Sequence, residues 1–137
     1  MVNFLTDTHA HLCDQAFDQD RREVINRAQK AGVKAIVLVG ETLDDAKRNL
    51  ALAGEYPCLK AAAGLYPEYA DLEEAERLIA FIRNQPRSFS AIGEVGLDFW
   101  IAKEEEAREL QRVVFRKFIE LAGELDLPLN VHSRSAW

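Results

Sequence analysis

Ala35-Ile36-Val37-Leu38-Val39 is an apolar run with no polar interruption and three β-branched side chains. A short run of this kind reads as a strand buried on both faces, which is the mark of a parallel sheet covered by helices. Working outward, the same alternation continues in both directions. Upstream, Arg21 to Ala31 carries Val24, Ile25, Ala28 and Ala31 at helical spacing, with Gly32 as a terminator, and Phe4 to Thr8 reads as a strand before it. Downstream, Thr42-Leu43-Asp44-Asp45 supplies a helix start for Ala46, Leu50 and Ala53. Leu59 to Ala63 is a third strand. Asp71 to Arg83 is a helix with Leu72, Ala75, Ile79 and Ile82 inward, and Phe89 to Val95 is a fourth strand. Glu104 to Asp126 is the clearest helix, through Ala107, Leu110, Val114, Phe118, Leu121 and Leu125. Its first turn holds Glu104, Glu105 and Glu106, where the helix dipole favours negative charge. A fifth strand begins at Leu129 to Val131. Strand and helix in strict alternation give an α/β fold with a parallel sheet, and both an open doubly wound sheet and a closed barrel fit that pattern.

Composition narrows the class. The 137 residues carry a formal net charge of −6, which argues against a broad basic nucleic-acid surface. It leaves a nuclease possible, because bound cations supply positive charge locally. No run of about 18 apolar residues offers a membrane span, and the N-terminus lacks a secretory pattern, so a cytoplasmic protein is expected. Cys13 and Cys58 are isolated, which excludes a zinc ribbon and argues against a disulfide framework. Cys13 reads as a small buried apolar residue.

The three histidines stand where apolar strands run out. His9 and His11 follow Val2-Asn3-Phe4-Leu5 in Asp7-Thr8-His9-Ala10-His11, and His132 follows Leu127-Pro128-Leu129-Asn130-Val131. Side chains alternate across a strand, so His9 and His11 point to one face. Two neutral imidazoles side by side are a ready pair of ligands for a divalent ion. Ile92-Gly93-Glu94-Val95-Gly96-Leu97-Asp98 places a carboxylate between two glycines in an apolar strand. A carboxylate in such a place is costly unless it is paired or binds a metal, and Glu94 has an oxygen for each of two cations. Asp98 is suited to orienting a ligand histidine or a water. Arg134, two residues past His132, has the guanidinium fork that fits a phosphate or a carboxylate. Gly64-Leu65-Tyr66-Pro67-Glu68-Tyr69 marks a sharp loop at the same rim, with Tyr66 and Glu68 able to line a cleft. Phe99 and Trp100 either pack under a loop or stack on a base.

These motifs, in this order and over the whole chain, resemble the TatD-like metal-dependent deoxyribonucleases of the amidohydrolase-type barrels. The resemblance rests on Asp7 to His11, Ile92 to Asp98, the Gln111 to Leu127 stretch leading to Pro128, and Val131-His132-Ser133-Arg134-Ser135-Ala136. It implies a parallel (β/α) barrel of the TIM type, of which this chain would hold about the first five units. Residues 1–137 would then be the N-terminal part of one barrel domain whose C-terminal part is missing. A barrel needs eight units and ~250 residues. It further implies two divalent ions (Zn, Mg or Mn), with His9 and His11 on the first, Glu94 bridging and also catalytic, and His132 on the second. Arg134, Tyr66 and Asp98 would face a DNA or other phosphodiester substrate. The family's loop histidines after the third strand are replaced here by Tyr66 and Glu68. A further histidine and an aspartate of the family's site would lie later in the barrel. Two alternatives stay open: a related hydrolase acting on an amide, ester or lactone, and a truncated metal-binding module without catalysis.

Overall fold

A computed structural model describes residues 4–85 and 87–137. Val2 and Asn3, read with the first strand, lie outside them. The elements are β1 (Leu5–Ala10), α1 (Arg21–Lys30), β2 (Val33–Leu38), α2 (Leu43–Glu55), β3 (Leu59–Ala63), α3 (Leu72–Arg83), β4 (Ala91–Asp98), α4 (Glu105–Leu125) and β5 (Leu129–Arg134). Local chemistry sets several boundaries as the sequence predicts. Thr42 caps α2 by accepting the Asp45 N–H, and Asp71 caps α3 by accepting that of Glu74. α4 ends in Asp126, whose φ of 53° turns the chain out of the helix.

All five strands are parallel and run in the order β1-β2-β3-β4-β5. A doubly wound sheet reverses its strand order at a switch point. No reversal occurs here, so the strand order selects the barrel. The sheet curls far enough for β5 to reach β1, where the Asn130 side-chain amide donates to the Thr8 carbonyl at 2.6 Å. Across the rim, Gly40 exchanges main-chain hydrogen bonds with β4. Its N–H donates to the Gly93 carbonyl at 3.1 Å, and its carbonyl accepts from Glu94 at 2.9 Å.

The apolar core lies between the sheet and the helices. Leu78, Ile79, Ile82, Val114, Phe118 and Leu121 pack on Ile92 and Val95 of β4, while Ile25, Ile36, Leu38 and Leu59 form a second cluster. Three apolar positions of the helical stripes are exposed, and Ala31 is one of them, lying just past α1 as its C-cap. Leu72 and Ala107 are exposed, because each precedes the buried stripe of its helix, which starts at Ala75 in α3 and at Gln111 in α4. The edge strands leave Leu5 60% and Val131 50% exposed, as expected of strands with one neighbour each.

The strands carrying Glu94 and His132 are longer than periodicity suggests. β4 continues past Val95 to Asp98, and β5 continues past Val131 to Arg134, so Glu94 and His132 sit inside strands rather than at their ends. Gly96 makes this possible. Its φ of 147° is outside the range other residues adopt readily, and it pairs opposite His132 where a Cβ would run into the His132 carbonyl. Gly96→Ala should therefore cost about 2–3 kcal/mol or more. Urea midpoints of the two proteins test this, and a midpoint equal to the wild type would contradict it.

Candidate metal centre

His9 of β1 and His11, the residue just past its end, turn to the same side, with ring centroids 5.1 Å apart and Nε2 atoms 3.2 Å apart. Glu94, only 4% exposed, meets them from β4. Its Oε2 lies 3.5 Å from Nε2 of His9 and 3.3 Å from Nε2 of His11. A tetrahedral ion with bonds of about 2.0–2.1 Å separates its ligand atoms by roughly 3.3 Å. The three donor atoms thus already form the face of such a site, and their chemistry, two imidazoles and a carboxylate, fits a divalent cation. Burial works to raise the Glu94 carboxyl. The hydrogen bond to His11 and the charges of His9, His11 and His132 outweigh it and hold the carboxyl below its usual value. His11 is raised in return, chiefly by its hydrogen bond to Glu94 and against burial. Protons therefore compete with a cation for His11.

The other oxygen of Glu94 faces a different imidazole. Oε1 is 2.9 Å from Nδ1 of His132, whose Nε2 is 3.0 Å from Oδ2 of Asp98. Asp98 is fully buried and densely satisfied. It accepts from the Trp100 N–H at 3.0 Å, the Ile101 N–H at 3.2 Å, the Tyr66 hydroxyl at 3.3 Å, and Arg134, whose Nη2 is at 2.8 Å. Burial would raise the Asp98 carboxyl, but hydrogen bonds from Arg134, Ile101 and His132 lower it to about 2. Ionised Asp98 and Glu94 can both only accept, so a neutral His132 donates to one of them alone, and a hydrogen given to Asp98 from Nε2 leaves the Nδ1 lone pair toward the Glu94 side. Gln111 of α4 fixes the Asp98 main chain, accepting its N–H at 2.8 Å while donating to the Pro67 carbonyl at 3.1 Å. Tyr66 sets its ring edge against His132, with centroids 4.9 Å apart. Burial and the Asp98 charge push its hydroxyl up to about 12.

The structure thus brings His9, His11, Glu94, His132, Asp98, Arg134 and Tyr66 into one connected cluster. Arg134 is spent in part on Asp98, although its side chain stays 47% exposed. Glu68 is exposed on the loop below Tyr66. Phe99 has the guanidinium groups of Arg108 and Arg112 at 5.0 and 5.2 Å from its ring, whereas Trp100 is 61% exposed with the Lys103 ammonium 4.6 Å from its ring. Cys13 is buried, which pushes its thiol up to about 12. Sequence reasoning missed three contributors. Asn130 contacts His9, Gln111 holds Asp98, and Glu41 lies 3.9 Å from Nδ1 of His11. The signal available for Glu41 was its place just after β2, on the rim where such barrels gather their polar groups.

The family model for TatD related DNases matches residues 6–137. The chain belongs to the TatD family. Among TatD relatives, human deoxyribonuclease TATDN3 is 40% identical over 144 residues, which take in 96% of this chain and 53% of that protein. The metal-dependent hydrolase YabD of Bacillus subtilis, itself uncharacterized, is 38% identical, over 96% of this chain and 51% of its own length. The 3'-5' ssDNA/RNA exonuclease TatD of Salmonella typhimurium is 33% identical, over 95% of this chain and 50% of its own length. The crystal structure of YJJV, a TatD homolog from Escherichia coli, superposes with a TM-score of 0.85 at 32% identity, covering 98% of this chain and 52% of that one. The chain spans about half the length of the curated relatives it matches.

Proposed function

We propose that this chain contributes most of the metal centre of a metal-dependent nuclease that hydrolyses phosphodiester bonds in DNA. The observation that carries the reading is the division of Glu94, with one oxygen toward His9 and His11 and the other toward His132. That division suits two divalent ions sharing one carboxylate, with His9 and His11 on one and His132 on the other. Cations held there would act as Lewis acids on a phosphoryl oxygen and lower the pKa of an attacking water. Glu94 would supply the charge that balances them, from a buried position where its field is weakly screened. Asp98 would hold His132 in one tautomer, and Arg134 would hold Asp98 while its exposed edge remains able to meet a phosphate. Tyr66 would bound the cleft beside His132.

Residues 1–137 fit the N-terminal part of one barrel domain, a reading supported by the exposed edge strands and by relatives about twice as long. No helix among the described residues is long and apolar enough to cross a membrane. Incubating the natural full-length protein with a single-stranded oligonucleotide and Mg, Mn or Zn should give cleavage. A chelator should stop it, and added metal should restore it. An intact oligonucleotide under all three metals, with turnover of a lactone or ester instead, would replace the nuclease reading with the related hydrolase one.

A further inference from the structure

The Asn130 side chain, on β5, touches both the His9 ring and the main chain of β1 at the opposite edge of the curled sheet. Its Nδ2 donates to the Thr8 carbonyl at 2.6 Å, and its Oδ1 lies 2.8 Å from Nδ1 of His9. These two contacts leave no freedom of assignment. A backbone carbonyl can only accept, so the amide nitrogen must face Thr8 and the amide oxygen must face His9. An amide oxygen also only accepts, so Nδ1 of His9 must carry the hydrogen. In a neutral imidazole the lone pair then resides on Nε2, the atom that faces His11 and Glu94. The space for this arrangement is built into β4. Gly93 lies beside Asn130, and a Cβ there would come within 2.5 Å of the Asn130 Cβ.

We propose that Asn130 is a positioning residue of the metal centre, which selects the Nδ1–H form of His9 and aims its Nε2 lone pair at the cation site. The inference rests on the reading of His9 as a metal ligand. Its consequence is that the metal centre and the approach of β5 to β1 depend on one side chain. Ligand histidines ordinarily hand their second nitrogen to such an acceptor, and loss of the acceptor typically costs 10–100-fold in metal affinity.

Two variants separate orientation from the strand contact. Asn130→Leu removes both hydrogen bonds. Asn130→Asp keeps an acceptor for His9 but cannot donate to Thr8. In the natural full-length protein, zinc affinity measured by chelator competition should fall ~10–100-fold in the Leu variant and stay within a few-fold of wild type in the Asp variant. Equal loss in both would reduce Asn130 to a structural contact and overturn the inference. So would unchanged affinity in the Leu variant. A second readout needs no variant. Histidine 15N spectra of the metal-free wild type at about pH 9, where imidazoles are neutral, should show His9 protonated at Nδ1. A proton on Nε2 overturns the inference even if the variants fail to fold. Wild-type zinc affinity in His9→Ala would overturn the ligand assignment itself. Loss there combined with no loss in Asn130→Leu would overturn the role of Asn130 alone.

Discussion

Glu94→Gln in the natural full-length protein should abolish metal-dependent hydrolysis while leaving the fold intact. The substitution preserves shape and volume, so the packing around a buried side chain is kept. What changes is the pattern of donors and acceptors. Glu94 presents one oxygen to His9 and His11 and the other to His132. A glutamine must turn an NH2 group toward one of these sides, and an NH2 group cannot ligate a cation. The site also loses its buried negative charge, and the other carboxylates on the pair among the described residues sit elsewhere, Glu41 3.9 Å from Nδ1 of His11 and Asp7 on the His9 main-chain N–H. The loss in turnover should be at least the ~10²–10³-fold that follows removal of one group stabilising a transition state. Thermal stability should fall modestly at neutral pH, because the contacts with His11, His9 and His132 outweigh burial and make the Glu94 charge a stabilising one. Turnover at the wild-type rate, in a variant shown to bind metal, would remove Glu94 from the mechanism. The pH dependence follows from the same group. His11 is raised by Glu94, so metal binding in the wild type should weaken as pH falls through the elevated His11 value, and Glu94→Gln should shift that loss to lower pH.

The division between what the sequence disclosed and what it hid follows from the range of the interactions involved. The alternation of apolar runs and helical stripes is local, and it located all five strands and four helices. The pairing of His9 with His11 is also local, because it depends only on the two-residue period of a strand. Barrel against doubly wound sheet was not local. It depends on strand order, which a list of elements leaves open until the unreversed β1-to-β5 sequence of pairings is seen. The early end assigned to β4 at Val95 had a different cause. Gly96 looks like a stop signal, yet its positive φ is used inside a strand to let the His132 backbone come close. Asn130 was illegible for a third reason. Its partner His9 lies 121 residues away, and an asparagine inside an apolar strand carries no mark of what it will face. Asp98 falls between these cases. Its position beside a glycine-rich strand suggested a role with a histidine, but only tertiary structure gives it Arg134, Tyr66, Gln111 and His132 together.

That convergence on Asp98 makes it the residue whose loss should most damage stability. Asp98→Asn should lower stability at pH 7 by about 3 kcal/mol, the low end of the cost of breaking a buried ion pair by removing one partner. The low end applies because Arg134 is 47% exposed and can turn to water, whereas the N–H groups of Trp100 and Ile101 cannot turn away without unmaking the loop. An asparagine offers one acceptor where the carboxylate offers two, so it leaves Arg134, His132 or the loop amides unsatisfied. The melting temperature should fall by about 6–12 °C for a chain of this size or somewhat larger. Acid separates charge from shape. The Asp98 carboxyl sits at about 2, below its ordinary 3.8, so its contribution is fully present above about pH 4 and is lost as pH falls toward 2. The wild type should therefore lose stability over that window, the variant should lose less, and the gap between them should narrow. Urea midpoints at pH 7 and pH 3 measure both effects. Equal midpoints at pH 7 would mean that the network is dispensable to the fold. A gap that stays constant down to pH 3 would mean that Asp98 acts through shape and hydrogen bonding rather than through its charge, and the orientation of His132 would then need another anchor.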